Sequence, residues 1–62
     1  MNIRTLRLKK GWTQQDLADK LGVSQQTIAK WENKKGLPTV DKLPAIAKVF
    51  CVPIEALYKE GM

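Results

Sequence analysis

The sequence predicts an all-α protein of a single domain, and three observations carry that prediction. Apolar residues recur at three- and four-residue intervals and do not alternate. Glycines and prolines cut the chain into stretches of helical length. Hydroxyl or amide side chains stand where the first three helices need an N-cap. At 62 residues the chain forms one domain at most, spanning 1–62. A domain of that size buries only ~60% of the surface its unfolded chain exposes, so its core is thin. Cys51 is the only cysteine and there is no histidine, which excludes a disulfide within the chain and the usual Cys/His zinc set. Stability must come from helix packing, from caps, or from a second copy.

Five helical segments follow in order. Asn2 is placed to cap the first, whose Ile3 and Leu6 share a face, and Gly11 ends it after Lys9 and Lys10. Thr13 opens the second, with Asp16 three positions on as a short-armed capping box and Trp12 and Leu17 as a hydrophobic staple. Leu17, Ala18 and Leu21 form its apolar stripe, and Gly22 stops it. The same grammar repeats: Val23 precedes the cap Ser24, and Ile28 takes the staple position. Only two residues separate Leu21 from Ser24, so the second and third helices turn sharply on each other through Gly22, which takes positive φ cheaply. That outline is a helix-turn-helix at about 13–33. Residues 34–39 read as a loop. The fourth helix carries Leu43, Ile46, Ala47 and Phe50 and starts near Asp41 to Leu43, leaving Pro44 in its first turn. Pro53 opens a fifth, short helix from Ile54 to Tyr58, followed by a tail with Gly61.

Eleven Lys+Arg against six Asp+Glu give a net charge of +5 and a pI near 9.7. Such an excess favours a polyanionic partner, nucleic acid or an anionic membrane surface. A membrane-surface peptide needs one long basic amphipathic helix, which the glycine and proline breaks deny. No apolar run nears the ~20 residues of a membrane span, and no signal-peptide pattern opens the chain. With an unpaired cysteine, the expectation is a cytoplasmic protein. Catalysis is not expected: there is no histidine base, the carboxylates are scattered, and Gly11, Gly22, Gly36 and Gly61 stand alone, with no phosphate-loop spacing. No cofactor and no small-molecule ligand are indicated. Cys51 follows an apolar run and is expected to pack as a small apolar side chain.

The stretches "LR" at 6–7, "GWTQQDLADKLGVSQQTIAKWEN" at 11–33, "P" at 38 and "IAKVFCV" at 46–52 together resemble the Cro/cI-type (XRE-like) helix-turn-helix family. The "SQQ" that opens the third helix is close to lambdoid phage repressor and Cro domains. The resemblance covers nearly the whole chain. It implies a compact five-helix, lambda-repressor-like domain that binds operator DNA, usually as a dimer, with the third helix in the major groove. It assigns phosphate contacts to Thr13 and Gln14 at the start of the second helix and to Asn33 after the third. It also implies a partly buried ion pair, Arg7 with Glu32, tying the first helix to the third. One departure stands out. The family commonly has glycine after Glu-Asn, and here Lys34 takes that place. Asn33 or Lys34 must leave the helix in its stead, or the helix ends otherwise, with Gly36 arriving late.

The third helix explains its own polarity. At about 100° per residue, Gln25, Gln26, Ala29, Lys30 and Asn33 fall within an arc of about 140°, opposite Ile28 and Trp31. Glutamine can pair bidentately with adenine N6/N7, and lysine can donate to guanine O6/N7. A solvated helix face is the bland alternative; together with the turn, the caps and the resemblance, the arc reads as base-reading, with Gln25, Gln26 and Lys30 as the readers. Lys9, Lys10, Lys34, Lys35 and Lys42 are further phosphate candidates. Trp12 and Trp31 sit at packing positions, not as base-stacking residues. Val52, Ile54, Leu57 and Tyr58 offer more apolar surface than so small a core can hide, which points to a homodimer interface. The functional expectation is a double-stranded DNA-binding transcriptional regulator, a repressor on a palindromic operator. An antitoxin or a restriction-modification controller protein, whose helix-turn-helix domain also binds a protein partner, is the rival reading. Past the fifth helix no sensor, cleavage or oligomerisation segment is expected.

Overall fold

Caps and glycines divide the chain close to where the sequence pattern places the breaks. The computed structural model describes residues 1–58, and the tail with Gly61 lies outside them. Among the described residues the order is α1 (Ile3–Lys9), α2 (Gln14–Leu21), α3 (Gln25–Glu32), a 3-10 turn (Val40–Lys42), α4 (Leu43–Phe50) and a 3-10 helix (Ile54–Tyr58). The architecture is all-helical. The expected fifth α-helix is the 3-10 segment Ile54–Tyr58, so the α-helices described number four. A five-residue segment behind Pro53 has too few i→i−4 partners to gain much from the α form.

Thr13 builds the expected capping box: its hydroxyl accepts from the Asp16 amide at 3.0 Å, and the Asp16 carboxylate accepts from the Thr13 amide at 2.8 Å. Ser24 caps α3 by accepting from the Thr27 amide at 3.2 Å. Between these helices Gly22 sits at φ +70° with open space around its α-carbon. Backbone conformation alone therefore demands glycine there. Pro44 lies in the first turn of α4, where its missing N–H has no helical acceptor to lose. Asn2 does not use its side chain as a cap. Its backbone N–H donates to the Leu57 carbonyl at 2.7 Å and its side-chain amide to the Ala56 carbonyl at 3.4 Å, pinning the chain's start to its last described helix.

The core is one cluster formed by Ile3, Leu17, Ala18, Ile28, Trp31, Leu43, Ile46, Ala47, Phe50 and Leu57. Trp12 packs against it and stacks on Phe50, ring centroids 5.7 Å apart, with the Lys20 ammonium 4.7 Å from the centre of the Trp12 ring. Two expectations are corrected here. Leu57 is fully buried in the chain's own core and cannot serve a dimer surface, because the 3-10 helix folds back under the N-terminus. Cys51 is exposed rather than packed: it ends α4 in the left-handed conformation at φ +57°, which turns it off the apolar face.

Candidate nucleic-acid interface

The third helix is held from behind and open in front. Ile28 and Trp31 are buried, while Gln25, Gln26, Lys30 and Asn33 are exposed and Ala29 is half-buried. An α-helix anchored by one apolar edge can present the opposite face to a partner without loss of core. Gln25 and Gln26 stand at its first two positions, the end where the peptide N–H groups lack intrahelical acceptors.

Behind this face runs a chain of hydrogen bonds joining three helices. Arg7 grips Glu32 through two parallel bonds, Nε to Oε2 at 2.7 Å and Nη2 to Oε1 at 3.0 Å. Its remaining arm, Nη1, donates to the Trp12 carbonyl at 2.8 Å and so fixes the α1–α2 link. The two side chains are only 9% and 3% exposed. From Glu32 the chain passes to α2: Gln14 Nε2 donates to Glu32 Oε1 at 3.1 Å. It ends on α3, where Gln25 Nε2 donates to Gln14 Oε1 at 2.7 Å. Burial would push the Glu32 carboxyl up; the bonds from Arg7 and Gln14, with the charges of Arg7 and Arg4, outweigh it and hold the group below the usual carboxylate range. The bond to Glu32 likewise raises the Arg7 guanidinium above its ordinary value, against the opposing effect of burial.

Gln14 thus has a role the sequence reading missed: it buttresses Gln25. A signal for it was present. "TQQ" at 13–15 and "SQQ" at 24–26 repeat cap-Gln-Gln, so both glutamines occupy the first position of helices joined by a short turn. Arg4, one turn before Arg7, also went unremarked and adds its charge near Glu32.

The remaining positions divide into two groups. Thr13 is exposed beside Gln14, and its hydroxyl accepts from the Asp16 amide. Asn33, Lys34 and Lys35 continue from the end of α3 and are exposed. Lys34 is the residue that leaves the helix in the left-handed conformation, at φ +60°, and Gly36 takes no part in this exit. Lys9 and Lys10 are exposed at the end of α1, and Lys42 ahead of α4; no hydrogen bond ties them to the paired glutamines. Among the described residues no group of His, Cys, Asp and Glu could hold a metal ion, and no helix is long and apolar enough to cross a membrane.

Two short capped helices joined at a left-handed glycine, the second with a buried back and an amide-rich front, define a helix-turn-helix protein. A family profile described as "Helix-turn-helix" matches residues 3–57, and the chain belongs to that family. It is similar to the HTH-type transcriptional activator BcrR of Enterococcus faecalis, 44% identical over 55 residues, which are 89% of this chain and 27% of that protein. An uncharacterized HTH-type transcriptional regulator of Archaeoglobus fulgidus is 43% identical over 56 residues, 90% of this chain and 80% of that one. An uncharacterized HTH-type transcriptional regulator of Methanocaldococcus jannaschii is 50% identical over 46 residues, 74% of this chain and 70% of that one. These relatives support the XRE-like family and do not single out lambdoid phage proteins.

Proposed function

We propose that this protein is a DNA-binding transcriptional regulator that reads double-stranded operator DNA by placing α3 in the major groove. The observation that carries this is the buttressed Gln25, an exposed amide at the first turn of α3 whose direction is fixed by Gln14. A side chain held in place before it meets its partner loses less conformational entropy on binding. Gln25 has one N–H engaged with Gln14, which leaves its second N–H for adenine N7 and its oxygen for adenine N6. Gln26 and Lys30 lie on the same exposed face as neighbouring readers. Thr13, Gln14, Asn33, Lys34 and Lys35 supply phosphate contacts, with Lys9, Lys10 and Lys42 as outlying cations. The protein acts in the cytoplasm as a homodimer on a near-palindromic site.

Repression is the output we assign, because occupying a promoter is enough to block it. The name of the Enterococcus relative favours activation as a second reading. A promoter-reporter assay with the operator moved across the promoter separates them: repression tracks overlap with the polymerase site, and activation requires an upstream position.

The binding mode is tested by competing Gln25→Ala, Gln26→Ala, Lys30→Ala and Asn33→Ala against single-base operator variants. Gln25→Ala should lose ~1–3 kcal/mol on the preferred operator and tolerate changes at one base pair. Gln26→Ala and Lys30→Ala should relax adjacent pairs, and Asn33→Ala should weaken all sequences alike. If all four keep the wild-type order of preference, α3 is not the reading helix.

A further inference from the structure

We infer that Glu32 is a positioning residue for base recognition: through Gln14 its carboxylate sets which end of the Gln25 amide faces the groove, and so protects the preference for adenine. This rests on the reading of Gln25 as a base reader. The two ends of a glutamine amide have nearly the same size, so shape does not choose between a given orientation and its flip. Only hydrogen bonding does. An amide can donate from one end and accept at the other, so a pair of glutamines on their own can join either way round. An ionised carboxylate can only accept. Glu32 is held in that state by the two bonds from Arg7.

The polarity then propagates without a free choice. Gln14 must turn its NH2 to Glu32, at 3.1 Å. Its oxygen is thereby turned to Gln25, which must answer with its own NH2, at 2.7 Å. What is left for DNA is the Gln25 oxygen and one N–H, the acceptor and donor that adenine N6 and N7 require. A flipped Gln25 would set an NH2 against the adenine amino group, donor facing donor. The same flipped NH2 would instead suit guanine O6, an acceptor. Discrimination between adenine and guanine at that base pair is therefore the quantity Glu32 controls, although no atom of Glu32 need touch a base.

Glu32→Gln removes the acceptor-only end while keeping length. Because it leaves Arg7 short of a charge, a second variant, Arg7→Met with Glu32→Leu, replaces both charges by apolar chains and avoids an orphaned guanidinium. Each variant, checked as folded by circular dichroism, is competed against operators with adenine or guanine at the Gln25 pair and with changes elsewhere. A wild-type preference on the order of ten- to a hundredfold should fall to within about threefold at that pair only. Gln14→Ala, which leaves the ion pair intact, should do the same. A uniform loss of affinity with adenine preference retained would make Glu32 purely structural and overturn the inference. Gln25→Ala separates the two levels: if it too keeps the adenine preference, base reading by Gln25 fails, and the polarity argument with it.

Discussion

At the scale of single residues, Arg7 and Glu32 decide most. Replacing Arg7 with alanine leaves a carboxylate, 3% exposed, without its guanidinium. Removing one partner of a buried pair costs ~3–5 kcal/mol, a large share of the ~5–15 kcal/mol that holds a small domain together. Arg7→Ala should therefore melt far below the wild type, and Glu32→Ala nearly as far. Thermal melts of both and of the double mutant give the coupling; additive losses would show that the two charges act independently. The same pair sets an acid limb. Unfolded glutamate titrates near ~4.3, and folded Glu32 keeps its charge to lower pH. Its contribution is complete above that value and lost as pH falls toward the folded one. Asp16, held low by the Thr13 amide and then its hydroxyl, and Asp41, held low by the Thr39 hydroxyl, pull in the same direction. Melting temperature should hold from neutral pH to about pH 5 and then drop, and Glu32→Gln should show a shallower drop.

At the scale of elements, the caps are the legible part and the exits are not. Thr13, Ser24 and Gly22 were readable because cap and turn chemistry is local: a hydroxyl reaches an amide three residues on, and a sharp turn needs positive φ. Ser24→Ala should accordingly cost ~1 kcal/mol, a fall of roughly 4–8 °C in a calorimetric scan. The exits of α3 and α4 were harder, since Lys34 and Cys51 take a left-handed conformation that their residue types do not advertise. Where Asn2 donates and how deep Leu57 lies are set by contacts between the two ends of the chain, which no local window contains. The paired glutamines fall between these cases, repeated in sequence yet meaningful only once α2 and α3 are set side by side. Lys34 offers a test of what the exit costs. A non-glycine residue there is disfavoured by roughly 1–2 kcal/mol, part of which glycine gives back through its freer unfolded chain. Lys34→Gly should raise stability by about 0.5–1 kcal/mol and, if Lys34 meets a phosphate, weaken DNA binding. A melt and a salt titration on the same variant read both effects.

At the scale of the whole molecule, net charge and the remaining apolar surface govern how copies meet DNA. Each phosphate neutralised lowers the slope of log K against log[salt] by about 0.9, so a dimer with several contacts per subunit should bind with a steep dependence. Lys35→Ala should make that slope shallower by about one such step per subunit and leave the preferred sequence unchanged. With Leu57 withdrawn into the core, the surface left for the proposed dimer is Ile54, 40% exposed, and Tyr58, 58% exposed, beside partly buried Val52. That is far short of the ~1,200 Å² or more typical of stable interfaces, so the free protein should be largely monomeric and pair on DNA. Pairing there would place half-sites about one helical turn, ~34 Å, apart. Ile54→Lys and Leu57→Lys tell the two roles of this segment apart. Ile54→Lys should fold normally, bind a single half-site with wild-type affinity and lose cooperativity on the full site. Leu57→Lys should not fold, because it buries an ammonium beneath α4 without a partner. Band-shift titrations on operators with one or two half-sites measure the cooperativity. Equal cooperativity in wild type and Ile54→Lys would move the contact between copies away from the 3-10 helix Ile54–Tyr58, toward Leu37 on the loop and Val40 in the 3-10 turn before α4, which are 72% and 82% exposed.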